Sequence, residues 1–345
     1  FAICNSCRYC EGYCDVFPQL FALSGTPPAA VSHLANLCHN CRGCFYACQY
    51  APPHEFALNL PAVLAEVRQD SWERHARPQA LGRLFHAHGL AMATALMAGF
   101  ALMLGALAVL RPAGGAGFHA YLAHDAMVAI FAPAFLLPLA MLALSLRSYW
   151  REIGGGRITG ADLRRVAVSV AQLRNLSGGA GQGCNFEQGA RYSNARRHAH
   201  QATLWGFVMC FAATASATVM HYGAGWAAPY PLLSPPKLLG VPGGILLCLG
   251  TGALAWLKLR ADPGLGAARV WGGEMAFVLL LFVVSATGLL LWMATGTSAV
   301  PLLLALHLGA VLTFFVLTPY SKMAHGFYRM AALVRDAQTK ARHPH

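Results

Sequence analysis

Residues 4–14 read CNSCRYCEGYC and residues 38–48 read CHNCRGCFYAC, the same C-x2-C-x2-C-x3-C spacing twice in one chain. Two-residue gaps let a tight loop offer three thiolates to three corners of an iron–sulfur cube, and the fourth corner needs a ligand from elsewhere. In two-cluster ferredoxins the fourth cysteine of each run serves the other cluster. The expected ligand sets are therefore Cys4, Cys7, Cys10 and Cys48 for one [4Fe–4S] cluster, and Cys14, Cys38, Cys41 and Cys44 for its neighbour. Asp15 and Gln49 stand where such runs usually carry Pro, a departure in loop geometry rather than in ligand count. Zinc favours paired C-x2-C units and four tetrahedral ligands, so two equal triplets suit it poorly.

The remaining cysteines, Cys184, Cys210 and Cys248, are scattered. The latter two fall in apolar runs and read as packing residues. This lopsided use is a ligand cluster rather than a disulfide framework. No secretory signal precedes the cysteines of the chain, which is read from Phe1, so the cysteine domain is expected to stay in the reducing cytoplasm.

Working outward, the 345 residues are 57% hydrophobic and 11% charged, against about 25% charged in soluble domains, so much of the chain must avoid water. The formal charge is +12, yet residues 1–78 carry five Lys/Arg against six Asp/Glu. The excess positive charge therefore belongs to the hydrophobic part and does not point to nucleic acid. Residues 1–80 are expected to form the cluster domain, and residues 81–345 a membrane domain, with the boundary near Arg77-Pro78.

Uncharged runs long enough to cross a hydrocarbon core cover Leu90–Leu110, Ala126–Leu146, Thr203–Met220, Leu238–Leu257, Met275–Met293 and Val300 to about Tyr320. Six spans return the C-terminus to the side of residue 1. Placing residue 1 inside collects Arg147, Arg151, Arg157, Arg164, Arg165, Arg174, Arg191, Arg196 and Arg197 in one cytoplasmic loop, about 147–202. That orientation leaves 18 basic residues of the membrane part inside and only Arg111 and Lys237 outside, as basic residues distribute in membrane proteins. The fold class expected is an α-helical membrane protein with six transmembrane helices and an N-terminal two-cluster ferredoxin-like domain. Within the loop, Leu163, Val166, Val170 and Leu173 recur at helical spacing, which suggests an amphipathic helix on the membrane surface or one packed on the clusters. The glycine-rich stretch Ser177–Gly183 follows no buried strand and is a poor phosphate cradle.

An ionisable group inside a span is a functional candidate by default. His307 lies in the sixth span and His325 follows 18 residues later, five helical turns on if the helix continues, which would separate them by ~27 Å on one face. Haem held by two imidazoles needs facing histidines at similar depth on different helices. His200 and His221 sit at the two ends of the third span, so His200 is expected opposite His325 and His221 opposite His307. His198 is an alternative to His200, and His124 an alternative to His221. His86 and His88 flank the first span as interfacial groups.

These motifs together resemble a known family. The run Leu37–Phe56 with Asn59 and Pro61, then Phe207–Thr214, His221-Tyr222, Ala228-Pro229-Tyr230, Pro236–Gly240, His307 and Ala324-His325-Gly326, is similar over nearly the whole chain to the tricarballylate-utilisation protein B family, also called citrate-utilisation protein B. The resemblance implies a protein of the bacterial cytoplasmic membrane, with the cluster domain and both termini inside, that uses iron–sulfur clusters and b-type haem. It implies a partner flavoprotein that oxidises tricarballylate, and passage of electrons from its reduced flavin to the membrane pool. A similar membrane half occurs fused to a flavoprotein in cobalamin biosynthesis. The spaced histidines also resemble the two-haem membrane subunit of respiratory nitrate reductases.

The residues alone support the same direction of reading. A soluble-facing relay fused to a membrane domain implies transfer between a cytoplasmic donor and a lipid-soluble acceptor, for which quinone is the natural choice. No dinucleotide fingerprint appears, so two-electron flavin chemistry belongs on another chain, an FAD-dependent dehydrogenase. No catalytic residue is assigned. Arg8 and Arg42 lie inside the cluster loops, where positive charge favours the reduced, more negative state. Two other readings stand beside this one: a redox partner in cobalamin biosynthesis, and a membrane sensor or docking module with structural metal.

Overall fold

The computed structural model describes the chain except residues 24, 111–116, 179–180, 186–190, 227 and 343–345. Arg111, and Gly179 and Ala180 of the glycine-rich stretch, thus lie outside the described residues. The described residues form helices and no strand beyond an isolated bridge between Cys184 and Ser193. The N-terminal part holds α1 (Ala2–Cys7), α2 (Val16–Phe21), α3 (Pro28–Leu37), α4 (Gly43–Tyr46) and α5 (Leu60–His75). There follow α6 (Gln79–Leu110), α7 (His124–Glu152), α8 (Gly160–Gln172), α9 (Ala195–Ala224), α10 (Pro235–Arg260), α11 (Ala268–Met293), α12 (Val300–Leu317) and α13 (Ala324–Arg342). Six of these, α6, α7, α9, α10, α11 and α12, are long and apolar enough to cross a membrane.

Local chemistry sets the ends of these elements. Asn59 caps α5 by accepting from the Ala62 N–H at 3.2 Å, just before Pro61, whose missing N–H costs nothing in a first turn. Thr159 and Asp162 form a reciprocal capping box at the start of α8, which satisfies two otherwise orphaned groups. The backbone leaves helical geometry at His88 (φ −132°, ψ 32°), so α6 bends in its N-terminal third. Gly206 and Gly250 let α9 and α10 approach closely: a Cβ on Gly206 would stand 2.4 Å from the Leu247 backbone nitrogen. Small residues at such a crossing bring backbones together where lipid offers no hydrophobic drive.

The cluster domain is closed by the far end of the chain. Val16, Leu20, Leu34, Leu37 and Leu64 pack in one core with Val166 of α8 and Ala332, Leu333 and Val334 of α13. Gln19 donates to Asp336 at 2.9 Å, Lys340 bridges Asp15 at 2.6 Å, and the buried His33 ring meets the Ala332 carbonyl at 3.0 Å. On the membrane side, α5 is tied to the helix ends: Arg74 and His75 pair with Glu152 of α7, and Arg269 of α11 pairs with Asp70 at 2.7 Å and Glu73 at 3.0 Å.

One expectation changes. The sixth span does not run on to His325, because α12 ends at Leu317 and α13 begins only at Ala324. Pro319 lacks an N–H and cannot continue the helical hydrogen-bond ladder, so the five-turn register between His307 and His325 does not exist. The amphipathic helix, α8, packs on the cluster domain through Val166, one of the two placements its pattern allowed, and it leaves Leu163 outward.

Burial holds the His33 imidazole down to about 4 from its ordinary 6.5. Its folded value lies below its unfolded one, so from pH 6.5 down to 4 the unfolded chain takes up a proton that the folded chain refuses. Stability should fall as pH drops through that window, by about 3 kcal/mol at ~1.4 kcal/mol per unit. Thermal melts followed by helical circular dichroism between pH 7.5 and 4.5 should show this slope, and His33→Gln should flatten it. Parallel slopes in the two proteins would remove His33 as the cause.

Candidate functional site

The N-terminal helices bring the eight cysteines into two groups. Cys4 and Cys7 lie on α1, which stops at Arg8 in the left-handed region (φ 52°) so that the chain turns to present Cys10. Burial and then the nearby Cys48, Cys4 and Cys7 sulfurs push the Cys10 thiol up to about 12, and burial chiefly raises Cys4, again with Cys48 and Cys7 beside it. Gln49 donates to the Cys7 sulfur at 3.5 Å.

Cys14, Cys38, Cys41 and Cys44 line a cavity of about 630 Å³, its open mouth included. Burial raises Cys14 and Cys44, with Cys38 and Cys41 adding to the shift in both. Arg42 at φ 65° makes the same left-handed turn here that Arg8 makes in the first loop. Two of these four thiols, Cys14 and Cys44, resist ionisation, which a cationic iron core would relieve, since metal binding takes their protons. Among the described residues no three His, Cys, Asp or Glu side chains converge on a single-ion site. The four-thiol donor set and the cavity of the second group would suit an iron–sulfur cluster.

The surroundings of the two groups differ. In the first loop Arg8 and Tyr9 are exposed, and Arg8 lies over the Phe21 ring at 5.2 Å. The second loop is gripped by cations from three helices. Arg68 of α5 donates to the Cys38 carbonyl at 2.7 Å, Arg329 of α13 donates to the same oxygen at 2.6 Å, and Arg196 of α9 donates to the Asn40 carbonyl at 2.7 Å. Arg42 is buried and donates to the Asp262 carbonyl at 3.0 Å. His39, inside the motif, is neutral: burial and then Arg329 hold it well below its ordinary value. Cys184 is buried against Cys41, whose thiol is lowered first by its hydrogen bond with Cys184.

Below this loop, His200 of α9 faces His325 of α13, with ring centroids 6.2 Å apart and planes at 73°. Two imidazoles on opposite sides of one metal, each at about 2 Å, place their centroids roughly 6 Å apart. The His325 Nδ1–H donates to the Lys322 carbonyl, which leaves the lone pair on Nε2, the usual arrangement of a ligating histidine. The buried Nδ1 of His200 has no hydrogen-bond partner. Burial, Arg329 and Lys322 keep His325 neutral, the form that ligates. These residues fit axial ligation of haem.

The outer face departs from expectation. His221 lies against His124, centroids 4.6 Å apart, and not against His307. His124 Nε2 meets the Tyr222 hydroxyl at 2.8 Å, and His119 lies 5.4 Å from the His124 ring. His307 instead reaches α11, where its Nδ1 lies 3.2 Å from the Thr287 hydroxyl. The reason is depth. His307 is seven residues in from the N-terminal end of α12, ~10 Å at helical rise, whereas His221 sits in the last turn of α9. The 4.6 Å separation is too short for two trans ligands. His198 is exposed and does not replace His200.

Sequence reasoning missed the arginines around the second loop, which come from distant parts of the chain. It also missed Glu274, bound to Lys258 at 2.5 Å and Lys322 at 2.7 Å. A carboxylate at the head of an apolar span is a signal that was available.

Fold and cysteine groups define a class: a helical membrane protein that carries a ferredoxin-like domain at its N-terminus. Two family models match the chain, "Citrate utilization protein B Fer4-like domain" over residues 1–74 and "Citrate utilization protein B" over residues 77–345. The chain is also 41% identical over 347 residues to the citrate utilization protein B of Escherichia coli, covering 99% of this chain and 91% of that protein. It belongs to the citrate utilization protein B family. No solved structure matches it.

Proposed function

We propose that the protein is the membrane-anchored electron-transfer subunit of a citrate or tricarballylate utilisation system, taking electrons from the reduced flavin of a partner dehydrogenase and delivering them to quinone. The observation that carries this reading is the order of donor groups: a half-buried cysteine set beside the exposed Arg8 and Tyr9, a second set walled in by arginines, and the facing His200 and His325 rings. When bound, two [4Fe–4S] clusters and a b-type haem supply one-electron carriers, which a two-electron flavin donor needs in order to feed a membrane acceptor.

The chain's own residues give the path a direction. Cys4, Cys7, Cys10 and Cys48 would hold the cluster nearest the surface, where a flavoprotein can dock. Cys14, Cys38, Cys41 and Cys44 would hold the inner one. Arg68, Arg196 and Arg329 aim positive charge at the inner loop and favour its reduced state. In the outer loop the arginine among the described residues is Arg8, which is exposed. Electrons would therefore run inward. His200 and His325 would hold the haem at the cytoplasmic end of the membrane helices. The arginine-rich loop between α7 and α9 supports an inward orientation of that end.

The test is anaerobic purification of the full chain in detergent. Roughly eight iron atoms in cubane form, a sharp α band of low-spin haem on reduction, and reoxidation by added quinone are expected. A colourless protein with zinc in place of iron would instead identify a docking or sensor module.

A further inference from the structure

His200 and His325 each carry an arginine one helical turn away on the same face. Arg196 precedes His200 by four residues on α9, and Arg329 follows His325 by four residues on α13, so each stands ~6 Å along its helix axis from its imidazole. Both are displaced to the same side. Arg196 donates to the Asn40 carbonyl and Arg329 to the Cys38 carbonyl, which puts both guanidiniums on the side of the facing rings that meets the inner cysteine loop. Of the charges around the rings, Arg329 acts most strongly on His325 and Arg196 on His200.

Arg329 is incompletely satisfied. One end of its fork donates to Cys38, while its Nε is buried without a hydrogen-bond partner, and among the described residues no carboxylate pairs with it. A guanidinium in that setting calls for an anion, because its desolvated charge is costly alone and its planar fork matches a carboxylate at two points. Lys322 differs, since Glu274 answers its charge at 2.7 Å and also holds Lys258. Two arginines thus flank the imidazole pair, and a b-type haem carries two propionate carboxylates on one edge.

We infer that Arg196 and Arg329 bind the propionate carboxylates of the haem that His200 and His325 would ligate, which turns the carboxylate edge of the ring toward residues 38–40. The inference rests on the haem ligation put forward under the proposed function and adds the groups that orient the ring. Two imidazoles fix the iron but leave the ring's rotation about the line joining them open. A pair of guanidiniums on one side selects one rotation. The same two side chains then touch the inner cysteine loop at one end and the haem at the other.

The test uses the full chain in detergent, produced without haem and titrated with haem or with haem dimethyl ester, in which both carboxylates are blocked. Binding is read from the Soret band. Wild-type protein should hold haem at least tenfold more tightly than the ester, and both should give the low-spin band, since esterification leaves the iron unchanged. Arg329→Gln and Arg196→Gln should each bind haem more weakly and lose most of that preference. Arg68→Gln, which removes a brace from the same Cys38 carbonyl, should keep it. Equal loss in Arg68→Gln would trace the effect to the loop and overturn the assignment. Arginine variants that keep the full preference would overturn it too. Equal affinity of the wild type for haem and ester would overturn it without any variant, so the answer does not depend on a variant's folding. A low-spin band absent with both ligands would overturn the histidine ligation itself, and this inference with it.

Discussion

Cys14→Ser should remove the inner cluster and leave the outer one intact, with loss of about four of roughly eight iron atoms. Cys14 follows Cys10 closely in sequence, so a simple reading would assign it to the cluster of Cys4, Cys7 and Cys10. In the fold its neighbours are Cys38 and Cys41, and it lines the cavity with Cys44. The remaining iron signal of Cys14→Ser should therefore match that of Cys38→Ser, both by low-temperature electron paramagnetic resonance and by iron content. Cys48→Ser should match Cys4→Ser instead. A Cys14→Ser spectrum that coincides with Cys4→Ser would overturn the crossed assignment. Because the inner set stands between the surface and His200, the rate at which a reduced flavoprotein or flavin reduces the membrane half should drop at least a hundredfold.

His325→Ala should abolish the low-spin haem band, and His200→Ala should do the same, whereas His307→Ala should keep it. The distinction follows from geometry. His200 and His325 face each other at a separation that admits one metal, and the Lys322 carbonyl fixes the His325 tautomer. His307 meets Thr287 instead. Losing one of two axial ligands leaves five-coordinate iron at best, so the expected change is disappearance of the band rather than a small shift. Reduced-minus-oxidised spectra of the three variants check this, and loss of the band in His307→Ala alone would place the site elsewhere in the membrane.

The parts of this protein that could be read without coordinates are those in which chemistry is written at fixed spacing. The repeated cysteine runs pointed to the two groups that the fold draws together, and uncharged runs to the six helices long and apolar enough to cross a membrane, because sulfur geometry and bilayer thickness each impose a length. The histidine pairs were harder. The expectation for His307 and His325 treated the sixth span as continuous, although Pro319 stands in the row and ends α12 at Leu317. The outer pairing failed for a different reason: relative depth depends on where each helix ends, and helix ends are not fixed by hydropathy. The arginine shell of the inner loop, drawn from α5, α9 and α13, could not be read at all. Such a shell is a product of tertiary packing, and no local pattern links Arg68, Arg196 and Arg329.

The return of α13 to the cluster domain has a consequence for biogenesis. Leu34 and Leu37 complete their core only against Ala332 and Leu333, and the Cys38 carbonyl is braced by Arg329. The ribosome makes the cysteine runs first and these braces last, after all six hydrophobic segments. The core of the amino-terminal lobe is therefore completed only once α13 has been made and has come back to it. Maturation of the inner metal site is thereby tied to correct insertion, so that a chain stalled in the translocon would not yet present a finished redox centre.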